Sequence, residues 1–138
     1  MSLSYPFRRS DAGRSRSKRP RQKEDCTVRA LALVAEASYD LAYETLKDRG
    51  RKSHGRTNFP KPRGDDSLLG LKFTWMAFPA VKGESRMAPP EFARQFPKGT
   101  YICRTAKHVY AVIEGVAYDL EPIRETRCIY GAWVVSKA

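Results

Sequence analysis

Lys98–Asp119 reads KGTYICRTAKHVYAVIEGVAYD, and its pattern sets the fold class. Apolar residues alternate with polar ones through Thr100–Ala106 and His108–Ile113, where Val, Ile and Tyr are frequent, so both segments are predicted strands. Glu114-Gly115 joins the second of these to Val116–Leu120 as a two-residue hairpin turn, in which glycine accepts a positive φ. A fourth strand is predicted over Cys128–Val135 (CIYGAWVV). Earlier in the chain, Leu68–Val81 is apolar and packs as a strand or an irregular segment. Pro89-Pro90 opens a short helix through EFARQF, since proline is tolerated in a first turn. Asp25–Ala37 (DCTVRALALVAEA) is the strongest helix, with Asp25 as N-cap. Its apolar residues fill nearly every side, which marks a buried, central helix. Ser38–Arg49 is a second helix, capped by Ser38, with its stripe on Leu41, Ala42, Thr45 and Leu46 and its stop at Gly50. Helices come first and strands last. The expected architecture is therefore α+β, an N-terminal central helix packed on a C-terminal antiparallel sheet.

The 138 residues suffice for one domain and a tail. Residues 1–24 hold eight Lys/Arg against two acids, with almost nothing apolar between Arg8 and Glu24. Such a segment buries too little to offset its ordering entropy. It is expected to be a basic disordered arm before a domain over 25–138. No apolar run reaches the length of a membrane span and no secretory leader is visible, so no membrane partner and a cytoplasmic location are expected. Three cysteines without a CxxC spacing point to neither a disulfide scaffold nor a zinc site. No cofactor and no metal is expected.

Two observations bear on chemistry. Cys26 follows the predicted cap and so lies in the first turn of the central helix. Unpaired N–H groups and the helix dipole favour a thiolate there. The competing reading is a small buried hydrophobe, the common fate of a free cysteine. In the hairpin, pairing outward from Glu114-Gly115 sets Ile113 against Val116, Val112 against Ala117, Ala111 against Tyr118 and Tyr110 against Asp119. His108 then lies diagonal to Asp119 on one face, about 7–8 Å away at Cα, within reach of an imidazole and a carboxylate. The opposite face carries Val109, Ala111, Ile113, Val116, Tyr118 and Leu120 and is expected to be the buried one. The competing reading makes His108 a surface residue at a strand start. His54, the other histidine, sits in the basic loop 51–67 and is expected to be exposed or a phosphate contact. Trp75, Trp133, Phe73, Phe78 and Tyr130 are expected in the core, and Cys103 and Cys128 buried.

A Cys opening a central helix, a His opening a strand far downstream and an Asp on the next strand resemble the papain-like cysteine peptidases. DCTVRALALV and KGTYICRTAKHVYAVIEGVAYD look like segments of small, mostly bacteriophage-encoded proteins of that superfamily. The resemblance covers roughly residues 25–136. It implies a papain-like fold and a peptidase or amidase in which Cys26 attacks a carbonyl, His108 forms the ion pair and Asp119 orients the imidazole. It also implies an oxyanion hole made by the Cys26 N–H and an upstream side chain, for which Gln22 is the candidate.

Charge supports a different class of function. The net charge is +11. Arg14, Arg16, Lys18, Arg19 and Arg21 in the arm, with Arg51, Lys52 and Arg56 in the loop, suit phosphate or an acidic protein surface. No sequence-reading motif accompanies them, so nucleic-acid binding would be non-specific. On this reading the chain is a non-catalytic papain-like protein of a phage, a virion component or host-takeover factor that docks to nucleic acid or a large assembly in the host cytoplasm or virion. The plain alternative is a solvated tail.

Overall fold

The computed structural model describes residues 3–138. Residues 1–2 of the expected arm lie outside the described residues. The fold is α+β. Helices α1 (Cys26–Val34), α2 (Tyr39–Asp48) and α3 (Pro89–Gln95) surround one mixed sheet. Its strands are β1 (Phe7–Arg9), β2 (Asp66–Leu68), β3 (Leu71–Ala77), β4 (Thr100–Thr105), β5 (His108–Ile113), β6 (Val116–Asp119) and β7 (Gly131–Lys137), in the order β1-β6-β5-β4-β7-β3-β2. All neighbours are antiparallel except β1 and β6.

The sheet is therefore wider than the four C-terminal strands expected. β3 comes from the ambiguous apolar segment and pairs along its whole length with β7. β1 comes from the supposed arm. Phe7, Arg8 and Arg9 pair with Ala117, Tyr118 and Asp119, and Tyr5 is buried against the sheet. Residues 3–24 are thus ordered along the domain, which corrects the expectation of a disordered arm. The physical reason is partnership. Strand pairing and ion pairs supply what the segment's own apolar content does not.

Helix α1 is short because it ends in a Schellman turn. Ala37 N–H donates to Ala32 O at 2.9 Å and Glu36 takes the left-handed slot at φ 52°. The periodicity through Ala37 overran that turn. Ser38 caps α2 by accepting from Leu41 N–H at 3.0 Å. The face α2 buries is Tyr39, Ala42, Tyr43 and Leu46, while Leu41 is 50% exposed.

Helices α1 and α2 cover one face of the sheet, with Val28, Leu31, Leu46, Phe73, Ile102 and Trp133 in that core. Tyr5 and α3 cover the other, with Phe92, Cys103, Tyr110, Val112 and Ile129. Both faces of the β5–β6 hairpin are consequently covered. Tyr110, Val112, Ala117 and Asp119, on the face expected to stay open, are buried. Ile113, Val116, Tyr118 and Leu120, on the face expected to be the core, are only half-buried. The register itself is as read from the turn: Ile113 against Val116, Val112 against Ala117 and Ala111 against Tyr118. Glu114 and Gly115 both have positive φ, the requirement of a tight hairpin turn.

Candidate active site

Cys26 is the first residue of α1 and is half-buried. His108 is the first residue of β5, directly after the tight turn at Ala106-Lys107, and Asp119 ends β6. The α1–β5 packing brings the three together. His108 Nε2 lies 2.5 Å from Asp119 Oδ2, and the imidazole and the Cys26 thiol line one groove, close enough for each to shift the charge of the other. Burial works against charge on each group, yet the partners win. Burial would raise the Cys26 thiol, but His108 and the Val109 N–H bring it below its ordinary value. Burial would lower His108, but Asp119 and Cys26 push it up to about 9. Burial would raise Asp119, but His108 and Arg29 hold it below the ordinary carboxylate value. These directions all favour the charged form of the three groups against the penalty of burial.

Arg29, one turn into α1, was read only as part of the helix. Its guanidinium is buried and bridges two carboxylates, Asp25 Oδ1 at 3.1 Å and Asp119 Oδ1 at 2.6 Å. A lone arginine in an otherwise apolar helix was the available signal, because a buried cation requires an anion. Asp25 also departs from its expected role. Its side chain makes no cap hydrogen bond. It accepts instead from Arg14 at 3.0 Å, Arg29 at 3.1 Å and the Tyr39 hydroxyl at 2.8 Å.

Gln22 is buried, but its oxygen accepts from Arg51 Nη1 at 3.1 Å and from the His54 N–H. The groove of about 180 Å³ that holds Cys26 and His108 is not lined by it. The one carboxamide lining that groove is Asn58, from the loop before β2, beside Arg104 and Lys107. His54 is exposed, and its Nδ1 accepts from Lys23 N–H at 3.1 Å.

The basic residues separate into two groups. Arg14 binds Asp25, Arg19 binds Asp40 and Glu44 while lying 3.9 Å over the Tyr43 ring, and Arg56 binds Glu24 at 2.8 Å. Arg51 is buried and donates to Gln22 Oε1 and the carbonyls of Lys23 and Glu24. These residues tie residues 14–24 and the loop to the domain. Arg16, Lys18, Arg21 and Lys52 are exposed, with no carboxylate partner among the described residues.

A cavity of about 450 Å³ lies beside the Cys26 groove, and Arg104 lines both. Trp75, Phe78 and Tyr130 wall it, and Trp133 lies beneath. Trp133 and Phe73 are fully buried as expected, but Tyr130 is 45% exposed and Trp75 and Phe78 only partly covered. Gly131 permits this. A Cβ there would meet Met76 O at 2.7 Å and the Trp75 ring closer still, so the absence of a side chain lets the indole approach the β7 backbone. Cys103 is fully buried and Cys128 half-buried.

Among the described residues, no group of three or more His, Cys, Asp or Glu is arranged to hold a metal ion, and no helix is long and apolar enough to cross a membrane. Compared with known proteins, the chain matches no family model, no curated protein and no solved structure.

Proposed function

We propose that the chain is a papain-like cysteine hydrolase acting on a peptide, isopeptide or related amide bond. The observation that carries the reading is that Cys26, at the N-terminus of a buried helix, and His108 share one groove, with Asp119 2.5 Å behind the imidazole. Cys26 Sγ attacks the carbonyl carbon and the carbonyl π electrons move to oxygen. The first-turn N–H groups of α1 have no intrahelical acceptor and face the developing oxyanion. Asn58 is the side-chain amide at hand in the groove. His108 gives its proton to the leaving amine as the C–N bond breaks. It then takes a proton from water as that water attacks the thioester, and Cys26 leaves as the thiolate as the C–S bond breaks. Asp119 keeps the imidazole oriented and stabilises its cationic form.

The test is the rate of Cys26 alkylation by iodoacetamide against pH, in the parent chain and in His108→Ala. The expected result is a thiol pKa below the ordinary value of 9.0 in the parent that rises in the variant. A profile indifferent to His108 would remove the catalytic reading. The second reading, a module that docks nucleic acid or a large assembly, has the exposed Arg16, Lys18, Arg21 and Lys52 in its favour. It predicts association that weakens steeply with salt and is lost on charge reversal of those four.

A further inference from the structure

Four depressions are linked around the β4–β5 turn. Arg104 joins the Trp75 cavity to the Cys26 groove, His108 joins that groove to the hollow beside Asp119, and Arg124 and Arg127 continue it to Tyr130. The charges of this ring are unbalanced. Its carboxylates are already matched, Glu24 by Arg56, Asp119 by Arg29 and Glu121 by Arg9. Its cations Arg63, Arg86, Arg104, Lys107, Arg124 and Arg127 have no carboxylate partner among the ion pairs of the described residues.

We propose that the ligand of the Cys26 cleft is an acidic peptide segment with an aromatic side chain, the ring seated among Trp75, Phe78 and Tyr130 and the carboxylates on the surrounding arginines. The proposal rests on the reading of Cys26 as an acyl-group nucleophile and names its substrate class. The cavity, at about 450 Å³, has room for such a side chain. The ring centroids of Trp75 and Trp133 are 4.7 Å apart, and Arg86 stands 5.8 Å from the centre of the Tyr130 ring, so aromatic surface and positive charge meet in one concavity. Arginine also matches a carboxylate in a planar, two-bond geometry. Single-stranded nucleic acid is less well matched. It uses aromatic faces spaced along a groove, whereas here they converge on one cavity.

The test uses the Cys26→Ala chain and fluorescein-labelled probes read by anisotropy: a glutamate-rich peptide with a central tryptophan, the same peptide with lysine for glutamate, the glutamate peptide with glycine for tryptophan, and a single-stranded oligonucleotide of equal charge. In the parent chain the unlabelled glutamate peptide is also scored for shielding Cys26 from iodoacetamide. The glutamate–tryptophan probe should bind tightest and shield Cys26. It should weaken about tenfold with Arg86→Ala/Arg104→Ala, and likewise as salt rises from about 50 to about 300 mM. Arg63 and Arg86 are exposed, so Arg63→Glu/Arg86→Glu repeats the test without disturbing the half-buried Arg104. Equal binding of the lysine or glycine peptide, tighter binding of the oligonucleotide, binding that leaves Cys26 unshielded, or indifference to both double variants would overturn the proposal. The two readings fail separately. An alkylation profile indifferent to His108, with the acidic probe still shielding Cys26, sinks the chemistry and keeps the ligand. A His108-dependent profile without acidic binding does the reverse.

Discussion

Arg29 Nη1 lies 2.6 Å from Asp119 Oδ1, so the helix that carries Cys26 also holds the carboxylate that orients His108. One side chain bridges α1 and the β5–β6 hairpin, sharing its single charge between two buried carboxylates, Asp25 and Asp119. The start of the helix that carries Cys26 and the carboxylate beside His108 are thereby coupled through Arg29.

Replacing Arg29 with methionine keeps much of the volume and takes a buried cation from both carboxylates, leaving Asp25 with Arg14 and Tyr39 and Asp119 with His108. Breaking a buried pair in this way costs about 3 kcal/mol or more, to be measured by urea denaturation. Arg29→Lys should recover only part of it, because one ammonium cannot reproduce the two-sided geometry of the guanidinium. Asp119→Asn should act differently. It removes the main support of the His108 cation, so the Cys26 alkylation profile should move to higher pH while the chain stays folded. A profile unchanged by Asp119→Asn would leave Asp119 a purely structural partner of Arg29.

The pH dependence follows from two opposed shifts. On the proposed hydrolase mechanism, turnover needs Cys26 ionised and His108 protonated. It should rise with a midpoint below the ordinary thiol value of 9.0 and fall as His108 deprotonates near about 9. Stability carries the same groups with signs of its own. His108 is raised from 6.5 to about 9, so its contribution is full below pH 6.5 and is lost as pH rises through 9. Cys26 is depressed, so its contribution is present above 9.0 and is lost as pH falls through the folded value. The two partly cancel in the parent. In Cys26→Ser only the histidine part remains, so Tm should fall more steeply between pH 6.5 and 9 than in the parent. The upper edge should come somewhat lower, because the thiol partner is gone. Adding His108→Gln should flatten the slope. A slope that survives this second substitution would assign the pH dependence to other groups.

What could be read without coordinates was local. The hairpin register follows from a two-residue turn and strict alternation, and that register alone puts His108 near Asp119. Cys26 at a helix start needs only a cap-like residue before an apolar run. The unreadable parts depend on distant partners. Phe7–Arg9 has no strand pattern of its own and is a strand only because Ala117–Asp119 offers an open edge. Arg29 lies 90 residues from Asp119, so no local rule pairs them. Asn58 stands in an aperiodic loop whose path around the Cys26 groove is set by Phe59 packing on Phe73. The open face of the hairpin was misjudged because alternation separates two faces without saying whether a second layer, here α3 and Tyr5, covers the other.

The N-terminal segment is where structure and charge make the most divergent predictions. A tethered basic tail could be removed without thermodynamic consequence. The segment seen here carries a buried Tyr5 whose hydroxyl donates to Ile123 O, a parallel strand on β6, and Arg14 and Arg19 tied to Asp25, Asp40 and Glu44. Tyr5→Ala should cost about 3 kcal/mol, as for other large aromatic truncations in a core. Arg14→Ala should cost about 1–2 kcal/mol, because Asp25 keeps Arg29 and Tyr39 as partners. Removing residues 1–24 should lower Tm by far more than either substitution, since it uncovers the β6 edge and one side of the hairpin together. Thermal denaturation of the three variants beside the parent checks the order. An unchanged Tm in the truncated chain would show that the segment is an accessory to the domain, and any loss of binding on truncation could then be assigned to its charge alone.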